Sequence, residues 1–184
     1  MKFETDRIVS LSAIVVSVAS LFTIVYQTQL TRRAQHASVM PYLYIQLSVS
    51  DNGVRLLLSN SGIGPALIDE VRVRYQGREI VGDPFDFYTG LRLAPTQTSS
   101  VDKVLPGRLI PAGSTIQMIG FGAVDNERMS KEMLRLFEIA EVPRSWYVDA
   151  GAANTEKAIV EITYSSVYGD RWRVRSDRIV PERL

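Results

Sequence analysis

Two runs of alternating arginines are the part of this sequence best suited to bind a ligand. Arg72 and Arg74 occupy alternate positions of one segment, and Arg171, Arg173 and Arg175 do the same in another. Because successive side chains of a strand point to opposite faces, each run places its guanidinium groups on one face. Guanidinium groups bind phosphate and carboxylate groups through paired hydrogen bonds, so a merged arginine face would suit a nucleotide, a phosphate or an anionic headgroup.

The same arginines can instead form a solvated outer face that pairs with nearby acids. Glu70, Glu161 and Asp177 lie in or beside the same segments. The order of the strands distinguishes the two interpretations. Adjacent arginine strands with no carboxylate between them would favour a ligand, whereas interleaved carboxylates would favour ion pairing.

The residue types needed for most catalytic sites are scarce. The chain has no cysteine, and its one histidine, His36, lies in a polar segment near the N terminus, so a thiolate nucleophile, a histidine triad or a multi-histidine metal site cannot form within one chain. Asp83 and Asp86 could act as paired acids, but Phe85 and Phe87 beside them favour a loop that caps the core. We predict no enzyme, no catalytic residue, no cofactor and no metal.

Charge and glycine patterns argue against nucleic acid and nucleotide loops. The net charge of +1 lacks the strong basicity of a general nucleic-acid binder. The glycine-rich turn over residues 60–65 leads into a strand-like segment rather than a helix, and it lacks the lysine of a P-loop.

Residues 8–26 form an uncharged apolar run without glycine or proline. Its helical length of about 29 Å matches the hydrocarbon core of a bilayer, and Arg7, Arg32 and Arg33 flank it. A cleaved signal peptide is the alternative, with a small-residue site at residues 17–19. Cleavage there would leave a second apolar run at the new terminus, so we predict an uncleaved membrane anchor.

One stripe of small residues runs along this predicted helix. Spacings of three, four and three residues place its members on one helical face, where close approach of two helices drives association in lipid. In the alternative, the hydroxyl groups bond back to their own helix and are only tolerated. The members of the stripe are Ser10, Ala13, Ser17 and Ser20.

The polar residues after the anchor predict a helical neck. No glycine or proline occurs until Pro41, so one helix is expected from about Asp6 to about Val39. Two basic side chains precede the apolar run and two follow it, and the acids at positions 4 and 6 reduce the positive charge on the N-terminal side. We therefore predict a single-pass protein of a bacterial inner membrane with its C-terminal domain in the cytoplasm.

The remaining residues, 41–184, predict one β-rich domain. Short segments of alternating apolar and polar side chains are separated by turn residues, which is typical of antiparallel strands. One amphipathic segment, about 126–140, predicts a helix capped by Asp125 or Asn126, and Gly82 to Lys103 predicts a loop. The predicted strands are 42–50, 54–59, 66–75, 104–110, 114–121, 157–168 and 171–179.

The residues of the last hairpin predict a three-residue or bulged connection. A two-residue turn would mix apolar and charged side chains on both faces, whereas an odd loop centred on Gly169 collects the apolar ones on one face. The corresponding pairs are Ser166 with Trp172, Tyr164 with Val174, and Ile162 with Ser176.

These features together resemble a widespread group of uncharacterised bacterial single-pass membrane proteins. The shared features are an apolar span, a polar neck, a Pro-Tyr entry into the first strand, an Asn-Gly-Gly-Pro turn and an aromatic closing hairpin. The entry is Pro41 and Tyr42, and the turn is Asn60, Gly62, Gly64, Pro65 and Ala66. The closing hairpin is Tyr164 to Trp172, with Tyr168, Gly169 and Asp170 at its tip. The resemblance implies an N-terminal transmembrane helix followed by an immunoglobulin-like antiparallel β-sandwich with one added α-helix. It implies no activity, substrate or catalytic residue.

The sequence therefore predicts a membrane-anchored protein-interaction or scaffold module. Its expected partners are membrane lipid, through residues 8–26, and either further copies of the chain or another protein. The alternative is a membrane-tethered sensor that binds a small anionic ligand on the arginine face.

Overall fold

The computed structural model describes residues 2–91, 101–122, 126–151 and 156–184. The chain divides into two compact units, Met1–Ser38 and Val39–Leu184. The first unit is helical, and the second is mainly β with two antiparallel sheets.

The first unit is one continuous helix, α1 (Lys2–Ala37). It contains neither glycine nor proline, so nothing interrupts its backbone hydrogen bonds. Of the helices described, α1 alone is long and apolar enough to span a membrane, over Val9–His36. The predicted helix, from about residue 6 to about residue 39, is observed a few residues nearer the N terminus at both ends.

The first sheet of the second unit has three strands in the order β1-β2-β6. These are β1 (Leu43–Ser50), β2 (Gly53–Asn60) and β6 (Thr115–Phe121). A two-residue turn joins β1 to β2, because Ser50 pairs with Gly53. Gly53 has a φ of 122°, a conformation that residues with a side chain rarely adopt, so a glycine is needed where this turn ends.

The second sheet has the order β4-β3-β7-β8-β9, with β5 also paired to β3. Its central strands are the long, well-alternating segments, whose buried rows face the core. The bounds are β3 (Ala66–Tyr75), β4 (Arg78–Val81), β5 (Leu109–Ile110), β7 (Ile159–Ser165), β8 (Arg171–Arg175) and β9 (Glu182–Arg183).

The turn between β5 and β6 carries the chain from one sheet to the other. The sequence predicts two strands there, at 104–110 and 114–121. β5 is much shorter than predicted and pairs with β3, whereas β6 pairs with β2. Val104, which was predicted to begin the first of these strands, instead donates its backbone N–H to the carboxylate of Asp83, so it is bonded to a side chain and not to a strand.

The last hairpin has a loop with an odd number of residues, as predicted, but the loop is longer than the predicted three-residue connection and the register differs. Tyr164 pairs with Trp172 and Ile162 with Val174, so the loop has five residues, 166–170, and is centred on residue 168 rather than Gly169. The predicted pairs are therefore wrong by two residues. A shift of two keeps every side chain on its predicted face, which is why apolar patterning cannot detect it.

The described residues of the domain also form three short helices, α2 (Pro84–Gly90), α3 (Asn126–Leu136) and α4 (Arg144–Asp149). The predicted loop at residues 82–103 is wrong where α2 forms, because Asp83 caps this helix and Pro84 occupies its first turn. α3 ends before the predicted residue 140, since Phe137 instead forms a parallel bridge with Ala158. The predicted cap Asp125 and residues 92–100 of the predicted loop lie outside the described residues.

Both sheets and the helices α2 and α3 contribute to one hydrophobic core. Leu56 and Phe121 come from the first sheet, and Val160 and Tyr164 come from the second. The charged outer face of the second sheet points away from this core, so its side chains are available for ion pairing or binding.

Candidate functional site

The two arginine rows lie on the same outer face of the second sheet but on strands that do not touch. β3 and β8 are both neighbours of β7, which runs between them. Glu161 of β7 lies opposite Arg72 of β3 on one side and Arg175 of β8 on the other. A carboxylate is therefore interleaved between the rows, which is the arrangement that favours ion pairing.

The side chain of Glu161 is buried beneath the arginines, with an exposed fraction of 3%. One of its oxygens lies 3.3 Å from Nε of Arg173, and the other lies 3.5 Å from Nη2 of Arg74. A buried carboxylate without partners would be very costly, so these two guanidinium groups stabilise the charge at the centre of the face.

The other arginines of the rows have carboxylate partners of their own. Nη2 of Arg72 lies 2.7 Å from Glu70, and this hydrogen bond is the main reason that the pKa of Arg72 is raised. Arg175 donates two hydrogen bonds to Asp177, of 2.8 and 2.9 Å, which raise the pKa of Arg175 in the same way. The further pairs are Arg74 with Glu79 at 2.8 Å and Arg171 with Asp69 at 3.1 Å.

Each of the five predicted anion-binding arginines thus contacts at least one carboxylate: Arg72, Arg74, Arg171, Arg173 and Arg175. Glu70, Glu161 and Asp177 are the partners expected from the sequence, while Asp69 and Glu79 were not anticipated. A phosphate or nucleotide would have to compete with these carboxylates for the guanidinium groups. The geometry therefore supports a paired outer face more than an open anion site.

The predicted association stripe lies on an exposed helix. Ser17 and Ser20 each donate a hydroxyl hydrogen bond of 2.8 Å to the carbonyl four residues earlier, at Ala13 and Val16. These hydroxyls are therefore satisfied inside α1, and the stripe offers close packing rather than hydrogen bonds to a neighbour. Ser10 and Ala13 are exposed on the same helix.

A buried asparagine at the end of β2 joins the segments at one end of the domain. The Oδ1 atom of Asn60 accepts hydrogen bonds from the N–H groups of Tyr42 and Gly62, at 3.1 and 3.0 Å. Its Nδ2 atom donates to the carbonyls of Gly64 and Ile110, at 2.9 and 3.1 Å. From the sequence, Asn60 is expected only to be a turn residue. An amide immediately after a strand and before a glycine turn was the available signal.

The two glycines after Asn60 leave room for the first residues of the domain. A Cβ atom at Gly64 would overlap with the carbonyl group of Val39, and one at Gly62 would overlap with the backbone of Met40 and Tyr42. The N–H of Ile63 donates to the carbonyl of Met40 at 3.1 Å. The Asn-Gly-Gly-Pro turn is thus the surface on which residues 39–42 lie.

Asp83 and Asp86 do not form a pair of catalytic acids. The two oxygens of Asp83 accept the N–H groups of Phe85 and Val104, at 2.8 and 2.6 Å. Burial raises the pKa of Asp83, although these two backbone hydrogen bonds oppose the shift. Asp86 is exposed and pairs with Lys103. Both carboxylates therefore have structural partners.

Within residues 2–91, 101–122, 126–151 and 156–184, no three histidine, aspartate or glutamate side chains are grouped closely enough to hold a metal ion. Comparison of the chain with protein-family models, curated proteins and solved structures gave no match.

Proposed function

We propose that this chain is a single-pass membrane protein whose β-rich domain is a protein-interaction module, and that α1 brings copies of the chain together. The observation that carries this proposal is the exposure of α1: every residue from 9 to 36 is exposed, including large apolar side chains throughout Val9–Val25. So large an apolar surface is not stable in water, and its length matches a bilayer.

The order of the strands supports an immunoglobulin-like sandwich for the domain. In that fold the first two strands share a sheet with the fifth, called E, while strands C, F and G form the other sheet. Here β1 and β2 pair with β6, and β3, β7 and β8 are neighbours in the second sheet. Domains of this class present their loops and sheet edges to partners, in keeping with an interaction role.

The small-residue stripe supports self-association through α1. Its satisfied hydroxyls and its small side chains allow two helix backbones to approach closely. A bulky side chain in the stripe would separate the helices and remove these packing contacts.

The test replaces Ala13 and Ser17 with leucine in the full chain. We expect the dimer or higher oligomer to weaken about tenfold, because leucine prevents close approach of the helices. The measurement is the distribution of photobleaching steps of fluorescently labelled chains in liposomes at several protein-to-lipid ratios.

Replacing Ser12 and Ala19 with leucine provides the matched control, since it changes one serine and one alanine away from the stripe. This variant should associate like the unchanged chain. An oligomer distribution that Ala13→Leu and Ser17→Leu do not alter would overturn self-association through this face.

A further inference from the structure

The outer edge of β4 has backbone groups that no other described strand bonds. Gly82 donates its N–H to the carbonyl of Val71 at 3.1 Å, which makes these two residues a hydrogen-bonded pair. Bonded and non-bonded pairs alternate along an antiparallel ladder, so the N–H and C=O groups of Glu79 and Val81 point away from β3. Among the strands described, β3 is the only one that pairs with β4.

The side chains along this edge are exposed although two of them are aliphatic. Ile80 and Val81 have exposed fractions of 40% and 69%. Proteins usually protect a sheet edge with charges, proline or a covering segment, because an open apolar edge recruits other strands. The edge of β4 has charged residues in its first half and an apolar second half.

A cavity of about 430 Å³ lies beside this edge, on the core-facing side of β4. Its apolar walls come from Ile80, Phe87 of α2 and Leu91. Arg78 also lines the cavity, and no carboxylate of the described residues lies within ion-pair distance of its guanidinium group. Asp83 and Asp86 line the cavity too, but Asp83 accepts backbone N–H groups and Asp86 pairs with Lys103. Arg78, two residues before Ile80 on the strand, is therefore the charged side chain of the lining that has no ion-pair partner among the described residues.

We propose that β4 binds an extended segment of a partner protein as an added antiparallel strand. The free groups of Glu79 and Val81 would hydrogen-bond to its backbone. An apolar side chain opposite Ile80 would enter the cavity, and an acidic side chain opposite Arg78 would pair with the guanidinium group. Because the strands are antiparallel, the partner segment reads, from its N terminus, apolar, any residue, acidic.

The chemistry of the edge favours a partner protein over a second copy of β4. Two copies paired about Ile80 would place Arg78 opposite Gly82, which leaves both guanidinium groups without a carboxylate. Pairing about Glu79 would bring two like charges together. An apolar-x-acidic segment can bond to the backbone of β4, fill the cavity with its apolar side chain and pair its acidic side chain with Arg78.

This inference rests on the proposed function, since it names the class of partner that the interaction module binds. The test uses the full chain in detergent micelles and a fluorescein-labelled peptide, Thr-Val-Thr-Ile-Thr-Asp-Thr, with binding measured by fluorescence anisotropy. We expect saturable binding, and at least a tenfold loss of affinity when the aspartate of the peptide is replaced by lysine. Arg78→Glu should restore binding of the lysine peptide and weaken binding of the original one.

Val81→Pro tests the backbone contact directly. Proline removes an N–H that faces the free edge, so no bond to β3 is lost and the fold is kept, while peptide affinity should fall at least tenfold. If Val81→Pro does not fold, the binding of the lysine peptide to Arg78→Glu tests the proposal by itself. A peptide of reversed sequence should bind more weakly because it places its acid away from Arg78.

Absence of saturable binding at about 1 mM peptide would overturn the proposal, and so would binding that neither Val81→Pro nor Arg78→Glu changes. The variant Ile80→Cys tests whether the added strand comes from a second copy of the chain. A disulfide-linked dimer of this otherwise cysteine-free chain would show that β4 pairs with β4 of a second copy and not with a partner protein. The oligomer distribution of the stripe variants is measured separately. If the peptide does not bind, self-association through α1 is unaffected, and if the stripe variants do not change the oligomer, peptide binding by β4 is unaffected.

Discussion

At the scale of single residues, two buried polar side chains fix the start of β1. Asn60 accepts the N–H of Tyr42, and the hydroxyl of Tyr164 accepts the N–H of Leu43 at 3.3 Å. Tyr164 also stacks on Trp172, with ring centroids 5.9 Å apart. Side chains from both sheets thus accept hydrogen bonds from the neighbouring N–H groups of Tyr42 and Leu43, so neither of these two donors is left unsatisfied.

Tyr164 makes this region sensitive to alkaline pH. Burial raises its pKa to about 12 from the ordinary 10.0, although the hydrogen bond from Leu43 opposes the shift. Because burial favours the neutral phenol, its stabilising contribution is complete below pH 10 and is lost as the pH rises through about 12. We expect the thermal midpoint of the full chain in detergent, followed by near-ultraviolet circular dichroism, to fall over this range.

The variant Tyr164→Phe separates the loss of the hydrogen bond to Leu43 from the ionisation of the phenol. At neutral pH it should cost about 1–3 kcal/mol in the free energy of unfolding, since the Leu43 N–H loses its acceptor. Above pH 10 the difference from the unchanged chain should narrow, because phenylalanine does not ionise. The exposed Tyr168→Phe serves as control, and a gap of constant size up to pH 12 would contradict the assignment.

At the scale of elements, the turn between β2 and β3 supports the segment by which the chain enters the domain. Gly62 and Gly64 bring the turn against residues 39–42, and Asn60 bonds the turn to the last residue of β5. This explains why glycine occurs twice in the turn although neither Gly62 nor Gly64 has a positive φ. Space, rather than backbone conformation, requires glycine there.

Gly64→Ala should therefore destabilise the domain by about 1–3 kcal/mol, because the added methyl group overlaps with the carbonyl of Val39 and the backbone must move. Chemical denaturation of the full chain, followed by tryptophan fluorescence, measures the change. Gly90→Ala is the matched control, since a Cβ atom at Gly90 meets no other atom within 4 Å. Equal stability of the two variants would show that residues 39–42 can leave this surface at no cost.

At the scale of the whole molecule, the chain joins a helix long and apolar enough to span a bilayer to a domain in which the arginine face of the second sheet is internally paired. The arginine rows are paired with carboxylates in or beside the same sheet, and the outer edge of β4 has backbone groups that no other described strand bonds. With α1 across a membrane, as proposed, the domain would meet partners on one side of that membrane only. The side on which it lies decides which partners it can bind.

We expect the domain to lie in the cytoplasm, and the absence of cysteine allows a direct test. Asn52→Cys places a thiol in the exposed β1–β2 turn. A membrane-impermeant maleimide should label it only after the inner membrane is opened. Val167→Cys, in the β7–β8 loop, should behave identically, and the unchanged chain supplies the background. Labelling of cells in which only the outer barrier is permeable would place the domain on the other side.

Local patterns in the sequence determined the elements that depend on neighbouring residues. The uninterrupted apolar run predicted α1, alternating side chains predicted the long strands, and glycine and asparagine predicted the turns. These signals work because helix and strand periodicity, and the conformations allowed in turns, involve residues only a few positions apart. α2 was missed because seven residues give no periodic signal, although Asp83 and Pro84 marked its start.

The tertiary structure alone decided which elements are neighbours. Glu161 lies between two arginine rows that are about a hundred residues apart in the sequence, and Asn60 bonds to Ile110. The pairing register of the last hairpin differs by two residues from the predicted one. The tertiary structure also left the outer edge of β4 free of other described strands. Contacts between distant segments leave no periodic trace in a single sequence, and a shift of two preserves the apolar face. The arginine face, which the sequence suggests as an anion site, is therefore paired with carboxylates. The outer edge of β4 can be identified only from the strand order of the folded sheet.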